Sequence, residues 1–342
     1  MSFMVSVADT AHRYACEADE SLLDAAQRAG LELPYSCRKG VCGNCRGRVE
    51  HGDVVASGGE KGLSAEERAQ GDVLFCRTHP RSDLVIRPTA IRAIDPASRK
   101  RIHAKVYRVE HLSDDVSLLR LRFPAGVRAR FRAGQYLQVI LADGERREFS
   151  MANPPAMSDE AHLHIRHVPG GRFTEGMLPS LKAGDMLEVE LAFGDFTLRD
   201  GDAWPIVFVA TGTGLAPVAS MLEDLWRRKI DRAVELYWGG RTLRHLYALD
   251  MVRKWQASHP SLRVVTVLSE SRDGAPEGTR SGLVHEAVLQ DHPDLSGVQV
   301  YACGSPAMTR AAREAFVGQA HLPPRHFFSD AFVSGPVEAQ AA

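Results

Sequence analysis

The sequence predicts a multidomain chain of α+β and α/β architecture: a small α+β domain, an antiparallel β-barrel and a parallel α/β domain. Three observations carry that expectation. Cys37, Cys42 and Cys45 stand in C-x4-C-x2-C spacing after a strand–strand–helix pattern, with Cys76 further along. Short strand-like runs separated by turn residues fill 102–200, and from 201 onward apolar strands alternate with helical segments. A chain of 342 residues is also long for one core. The expected boundaries are 1–92, a linker at 93–101, 102–200 and 201–342.

In the first domain, 3–7 and 12–16 read as strands. Ser21 is the expected N-cap of a helix whose apolar side carries Leu22, Leu23, Ala25, Ala26 and Ala29, and Gly30 stops it. The cysteine loop follows at once. Three thiolates on one short loop enclose a cluster only if the loop bends around it, and Gly40 and Gly43 supply that freedom and let N–H groups face the sulfurs. Cys76 supplies the fourth ligand, which completes the spacing of a plant-type [2Fe-2S] centre. Disulfides fit poorly, because three cysteines packed into nine residues suit metal better in a chain with no export signal. A zinc site of Cys42, Cys45, Cys76 and His79 is the rival, and it leaves Cys37 unused. Ser64 with Glu67 opens a second short helix as a capping box, and 73–76 and 84–86 read as the strands that close the sheet. This order resembles the β-grasp fold of plant-type ferredoxins.

The linker has no periodicity. Beyond it, strand-like runs at 102–109, 116–123, 136–141, 162–168 and 186–191 are separated by turn signals such as Asp143-Gly144, as in a barrel. Arg147, Phe149 and Ser150 form an R-x-aromatic-S run at a strand end. An arginine fork suits a diphosphate, an aromatic ring stacks on a flavin, and a hydroxyl donates to a ring atom. Gly170-Gly171 leads into a short helix ending near Leu181, where backbone N–H groups and Thr174 suit a phosphate.

In the third domain, strands at 206–210, 234–238, 262–268 and 298–302 are nearly continuous apolar runs, as burial on both faces requires, with helices over 218–228 and from Pro306. Gly212, Thr213 and Gly214 follow the first strand and lead to Pro217, whose missing N–H is harmless in a first helical turn. The third glycine of the standard dinucleotide fingerprint is absent. Cys303-Gly304 repeats the geometry at the end of another strand.

Read together, these motifs resemble the ferredoxin–NADP reductase superfamily, in the layout of reductase components of bacterial aromatic ring-hydroxylating dioxygenases. The likeness is strongest to the branch serving terephthalate-type dioxygenases, through Leu33-Pro-Tyr-Ser-Cys, Ala133-Gly-Gln-Tyr-Leu and Ser150-Met-Ala-Asn-Pro-Pro. It implies a β-grasp ferredoxin domain, a flavin-binding barrel and a nicotinamide-binding α/β domain that pass electrons from NADH or NADPH through FAD to the cluster. It further implies that Arg147, Phe149, Ser150, Gly171 and Thr174 bind FAD, and that Gly212, Thr213, Gly214 and Pro217 line the nicotinamide nucleotide. Cys303 and Gly304 then sit near the reacting ring, and Asp330 and Phe332 flank the flavin. Phe149 stands where Tyr is more usual, removing a hydroxyl but keeping the stacking surface. Arg241 and Arg244 suit a 2′-phosphate, which leaves NADH and NADPH both open.

Lys+Arg 42 against Asp+Glu 43 implies no bulk attraction to nucleic acid or anionic membrane. No apolar segment is long enough to span a membrane, and the N-terminus lacks the features of a signal peptide, so a cytoplasmic protein is expected. The implied partner is a Rieske-type terminal oxygenase, docked on a basic rim of Arg38, Lys39, Arg46, Arg48 and Arg77. Two other readings stay open: the same layout serving a soluble monooxygenase or deoxysugar dehydratase, and a zinc-stabilised nucleotide-binding module.

Overall fold

Ser2–Val7 and Arg13–Glu17 alternate buried and exposed side chains and pair antiparallel, Val5 opposite Tyr14. Leu84–Pro88 adds in parallel beside the first strand, and Arg46–His51 and Asp72–Leu74 extend the sheet to five strands. The helix Leu22–Arg28 buries Leu22, Leu23, Ala25 and Ala26 and is capped by Ser21, whose hydroxyl accepts from the Asp24 amide. This computed structural model describes residues 1–58, 61–94, 99–199, 201 and 203–333. The chain divides into two compact units, Met1–Arg99 and Lys100–Ser334, among the described residues.

In the first unit Cys76 does not lie in a strand. Pairing ends at Leu74, and the chain turns there because the Arg77 amide and the Thr78 hydroxyl both donate to the Leu74 carbonyl, each at 2.8 Å. The stretch read as a linker is paired at both ends. Arg92–Ala93 pairs with Leu31–Glu32, held by the Arg92–Glu32 ion pair, and a long strand begins at Lys100. Residues 95–98 of that linker lie outside the described residues.

The second unit opens with six antiparallel strands: Lys100–Ser113, Val116–Arg122, Tyr136–Ile140, Arg146–Ser150, Glu160–Arg166 and Met186–Phe193. The edge strands close into a barrel where Met151 bridges Leu163 and the Ala152 amide donates to the His162 carbonyl. Leu119, Leu121, Leu137, Val139, Leu163 and Val189 fill it.

Six parallel strands follow, in the order Arg280–Ser281, Arg263–Leu268, Val234–Gly240, Ile206–Thr211, Gln299–Gly304, Phe327–Ala331. Helices Leu215–Arg227, Leu249–Ser258, Val284–Asp291 and Pro306–Gln319 connect them. The first helix starts three residues before the expected 218, because Gly212–Gly214 already forms a tight helical turn that runs straight into it. Ala133, Phe196 and Leu198 of the barrel side pack in one core with Leu215, Met221 and Tyr301, so barrel and α/β sheet share a buried seam. Among the described residues no helix is long and apolar enough to cross a membrane.

Candidate functional site

The cysteine loop is wound by three left-handed residues, Arg38 (φ 53°), Gly40 (75°) and Gly43 (79°). A Cβ on Gly43 would lie 2.8 Å from the Gly62 carbonyl oxygen, so only glycine fits there. Cys37, Cys42, Cys45 and Cys76 are all buried and free of disulfides. They stand in two pairs: Cys37 bonds with Cys42, and the Cys45 and Cys76 sulfurs are 3.2 Å apart. The Cys42 thiol and the amides of Lys39, Val41 and Cys42 turn toward Cys37 and hold it down at about 6. The bond to Cys37 and burial push Cys42 up.

Two thiol pairs suit two irons, each taking two cysteines. A single zinc ion needs four ligands converging on one point, and the rival set takes Cys42 from one pair, both members of the other and His79, leaving Cys37 out. His79 pairs opposite Val55 in a separate ribbon. The donor set therefore fits a [2Fe-2S] cluster and sets the zinc reading aside.

The basic rim is largely committed elsewhere. Arg38 is ion-paired to Asp24 and donates to Gln27, Arg46 is paired with Glu67, and Arg48 lies 3.4 Å from Asp72. Arg77 donates to the carbonyls of Ser57 and Gly58. Three of the five rim cations are thus ion-paired within the chain, whereas the neutral carbonyls that Arg77 bonds leave its charge in place.

In the barrel, Phe149 lies against Phe173, ring centroids 5.3 Å apart, so the two flavin motifs meet. Ser150, opposite Tyr136 at the strand end, is buried and its hydroxyl has no protein partner. An orphaned hydroxyl at this spot fits a polar flavin atom. Arg147 is ion-paired to Glu145 at 2.6 Å and donates to the Arg146 carbonyl. Gly171 caps a wide π-helical turn, Arg172–Met177. There the Thr174 hydroxyl accepts from the Val168 amide and donates to the Val168 carbonyl, both at 3.1 Å, so it closes the loop on itself.

In the α/β sheet the two glycine turns interlock. A Cβ on Gly214 would lie 2.2 Å from the Cys303 carbonyl oxygen, and one on Gly304 2.2 Å from the Thr211 hydroxyl, which accepts from the Ser305 amide. Thr213 and Pro217 are buried beside them. The Gly212–Gly214 turn opens the helix Leu215–Arg227, and the amide end of a helix suits a diphosphate. Cys303 is wholly buried in the core with Trp238 and Tyr301, and burial pushes its thiol well up. Asp330 is buried opposite Cys303 in the next strand, and the Phe332 amide donates to the Gly304 carbonyl. Arg241 and Arg244 are both exposed. Two features had no signal in the sequence reading: Glu270 facing Arg241, and the Trp238 indole donating to the Gly212 carbonyl at 3.2 Å.

Three domain families match in sequence: a 2Fe-2S iron-sulfur cluster binding domain at 5–81, an oxidoreductase FAD-binding domain at 103–198 and an oxidoreductase NAD-binding domain at 208–314. Across 98% of this chain and 99% of the relative, 42% of residues are identical to the terephthalate 1,2-dioxygenase reductase component 2 of Comamonas sp. The chain belongs to this family of iron–sulfur flavoprotein reductase components. A second member, the CDP-6-deoxy-L-threo-D-glycero-4-hexulose-3-dehydrase reductase of Yersinia pestis, is 36% identical over 97% of this chain and 99% of its own. The crystal structure of an Amycolatopsis cytochrome P450 reductase superposes with a TM-score of 0.77 at 35% identity, covering 98% of this chain and 99% of that one. As a member, the chain is an NAD(P)H-dependent oxidoreductase that binds a [2Fe-2S] cluster, FAD and a nicotinamide nucleotide.

Proposed function

We propose that this reductase serves a terminal oxygenase of the Rieske type that hydroxylates a terephthalate-like aromatic acid in the cytoplasm, and that it draws on NADH. When bound, the three groups would supply the redox chemistry, in which an electron pair from the nicotinamide is delivered onward as single electrons. The chain supplies placement. Cys37, Cys42, Cys45 and Cys76 would hold the cluster, and the amides of Lys39, Val41 and Cys42 that turn toward Cys37 would tune it. Ser150, Phe149 and Arg147 would orient the flavin, the backbone of the turn from Gly171 to Thr174 would meet its phosphates, and the interlocked turns at Gly214 and Gly304 would seat the nucleotide. Cys303, Asp330 and Phe332 form the floor beneath the reacting rings, and no side chain is assigned as a general acid or base.

The observation that carries the acceptor is the 42% identity to a terephthalate dioxygenase reductase over nearly the full length of both chains. A dehydrase reductase at 36% supports the second reading, a deoxysugar dehydratase as acceptor. Reconstitution separates them: NADH-driven oxygen uptake with terephthalate and its purified oxygenase should be coupled to product. Rapid cytochrome c reduction without coupled oxygen uptake, alongside support of the dehydratase, transfers the assignment to the second reading.

A further inference from the structure

His164, on the barrel strand Glu160–Arg166, places its Nδ1 2.8 Å from the hydroxyl of Tyr247, which belongs to the α/β sheet side of the seam. The two rings meet edge-on, centroids 5.5 Å apart at 89°. Tyr247 in turn stands edge-on to Trp238 at 5.6 Å and 88°. The Trp238 indole N–H donates to the carbonyl of Gly212, the first glycine of the nucleotide turn. Three side chains thus join a barrel strand to that turn without a gap. Burial keeps His164 neutral, its imidazole brought down to about 4, and pushes the Tyr247 hydroxyl well up, so the bond joins two neutral groups at ordinary pH.

The same seam is also crossed by hydrogen bonds from the Ser220 hydroxyl to the Asn153 carbonyl at 2.7 Å and from the Arg199 amide to the Tyr301 hydroxyl at 3.0 Å. They reach a helix face and the aromatic core, whereas His164 reaches the turn. Hydride transfer asks for reacting atoms about 3–3.5 Å apart, and displacements of about 1 Å slow such steps by orders of magnitude. We propose that His164 and Tyr247 are a positioning pair that fixes the Gly212 turn, through Trp238, against the flavin barrel. The inference rests on the reading that hydride enters at this turn.

The pair is tested in FAD- and cluster-loaded protein with Tyr247→Phe, His164→Leu and His164→Asn, the last keeping a polar atom where Nδ1 stood. Without nucleotide, amide hydrogen exchange at 211–215 should quicken about fivefold or more in Tyr247→Phe and His164→Leu and stay near wild type in His164→Asn. At saturating NADH, flavin bleaching should slow about tenfold in the first two and recover in the third, while the NAD⁺ dissociation constant by calorimetry moves less than about twofold. The His164→Leu/Tyr247→Phe double variant should be no slower than either single one. Unchanged exchange at the turn, no recovery in His164→Asn, or effects that multiply in the double variant would overturn the proposal. Wild-type protein that NADH fails to bleach would instead sink the hydride reading, with the exchange experiment still deciding the pair.

Discussion

Glu270 holds its carboxylate 4.0 Å from the guanidinium of Arg241, and the Glu270 amide donates to the Arg241 carbonyl at 2.9 Å. Both lie just past the C-terminal ends of neighbouring parallel strands, Val234–Gly240 and Arg263–Leu268, where open α/β sheets receive nucleotides. A carboxylate there accepts from a free ribose 2′-hydroxyl, and it also sets a like charge against a 2′-phosphate while occupying the arginine that would bind one. NADH should therefore be preferred.

Glu270→Gln removes the repulsion and releases Arg241. It should raise kcat/KM for NADPH by about tenfold or more while changing the NADH value by no more than about twofold. Adding Arg241→Ala should cancel the gain. Cytochrome c reduction with each nucleotide checks this, and an unaltered preference in Glu270→Gln removes Glu270 from the specificity argument.

Ser150→Ala separates a flavin contact from a structural one. Because the buried hydroxyl has no protein partner, its loss should leave the melting temperature of flavin-free protein unchanged or raise it. With FAD bound, the same change should slow bleaching by NADH about tenfold, the scale of one buried hydrogen bond to a reacting ring. A drop in flavin-free stability with normal bleaching would show that Ser150 matters to the fold instead.

The parts that could be read from the sequence are those fixed locally. The cysteine spacing, the Ser21 cap and the glycine turns are set by a few adjacent residues, and each appears in the fold as expected. The strand Arg46–His51 escaped because its polar, glycine-containing sequence carries no alternation. It pairs because Gly47 leaves room for the Phe75 ring, which a Cβ would meet at 2.4 Å. The ion pairs within the basic rim were hidden for a related reason: Glu67 and Asp24, the partners of Arg46 and Arg38, come from other elements. Glu270 beside Arg241 depends on which strands neighbour each other, and His164 beside Tyr247 on packing between lobes 83 residues apart.

Cysteine and histidine replacements give opposite results under the two metal readings. Cys37→Ser should abolish the visible iron–sulfur absorption and lower bound iron from about two per chain toward zero. His79→Ala should keep both the iron and the spectrum, because the four thiols make up the cluster's ligand set and His79, opposite Val55 in a separate ribbon, is not part of it. Loss of metal in His79→Ala with retention in Cys37→Ser would restore zinc.

Asp291, the last residue of helix Val284–Asp291, fastens that helix to the sheet. Its carboxylate accepts from Arg280 at 2.8 Å, Tyr237 at 2.7 Å and Arg263 at 2.6 Å. Burial alone would raise its pKa, but these three donors outweigh burial and bring it down to about 2. A carboxyl depressed in the folded state contributes stability that is fully present above its unfolded value, about 3.9, and is lost as pH falls through that value toward the folded one. The melting temperature should therefore decline between about pH 4 and pH 2 in wild type, beyond any general acid effect, and Asp291→Asn should flatten that part of the curve. The variant should also melt several degrees lower at pH 7, since Arg280 loses its carboxylate while Arg263 keeps Glu235 at 2.6 Å. Parallel acid profiles for the two proteins would mean that Asp291 contributes nothing to stability through its charge.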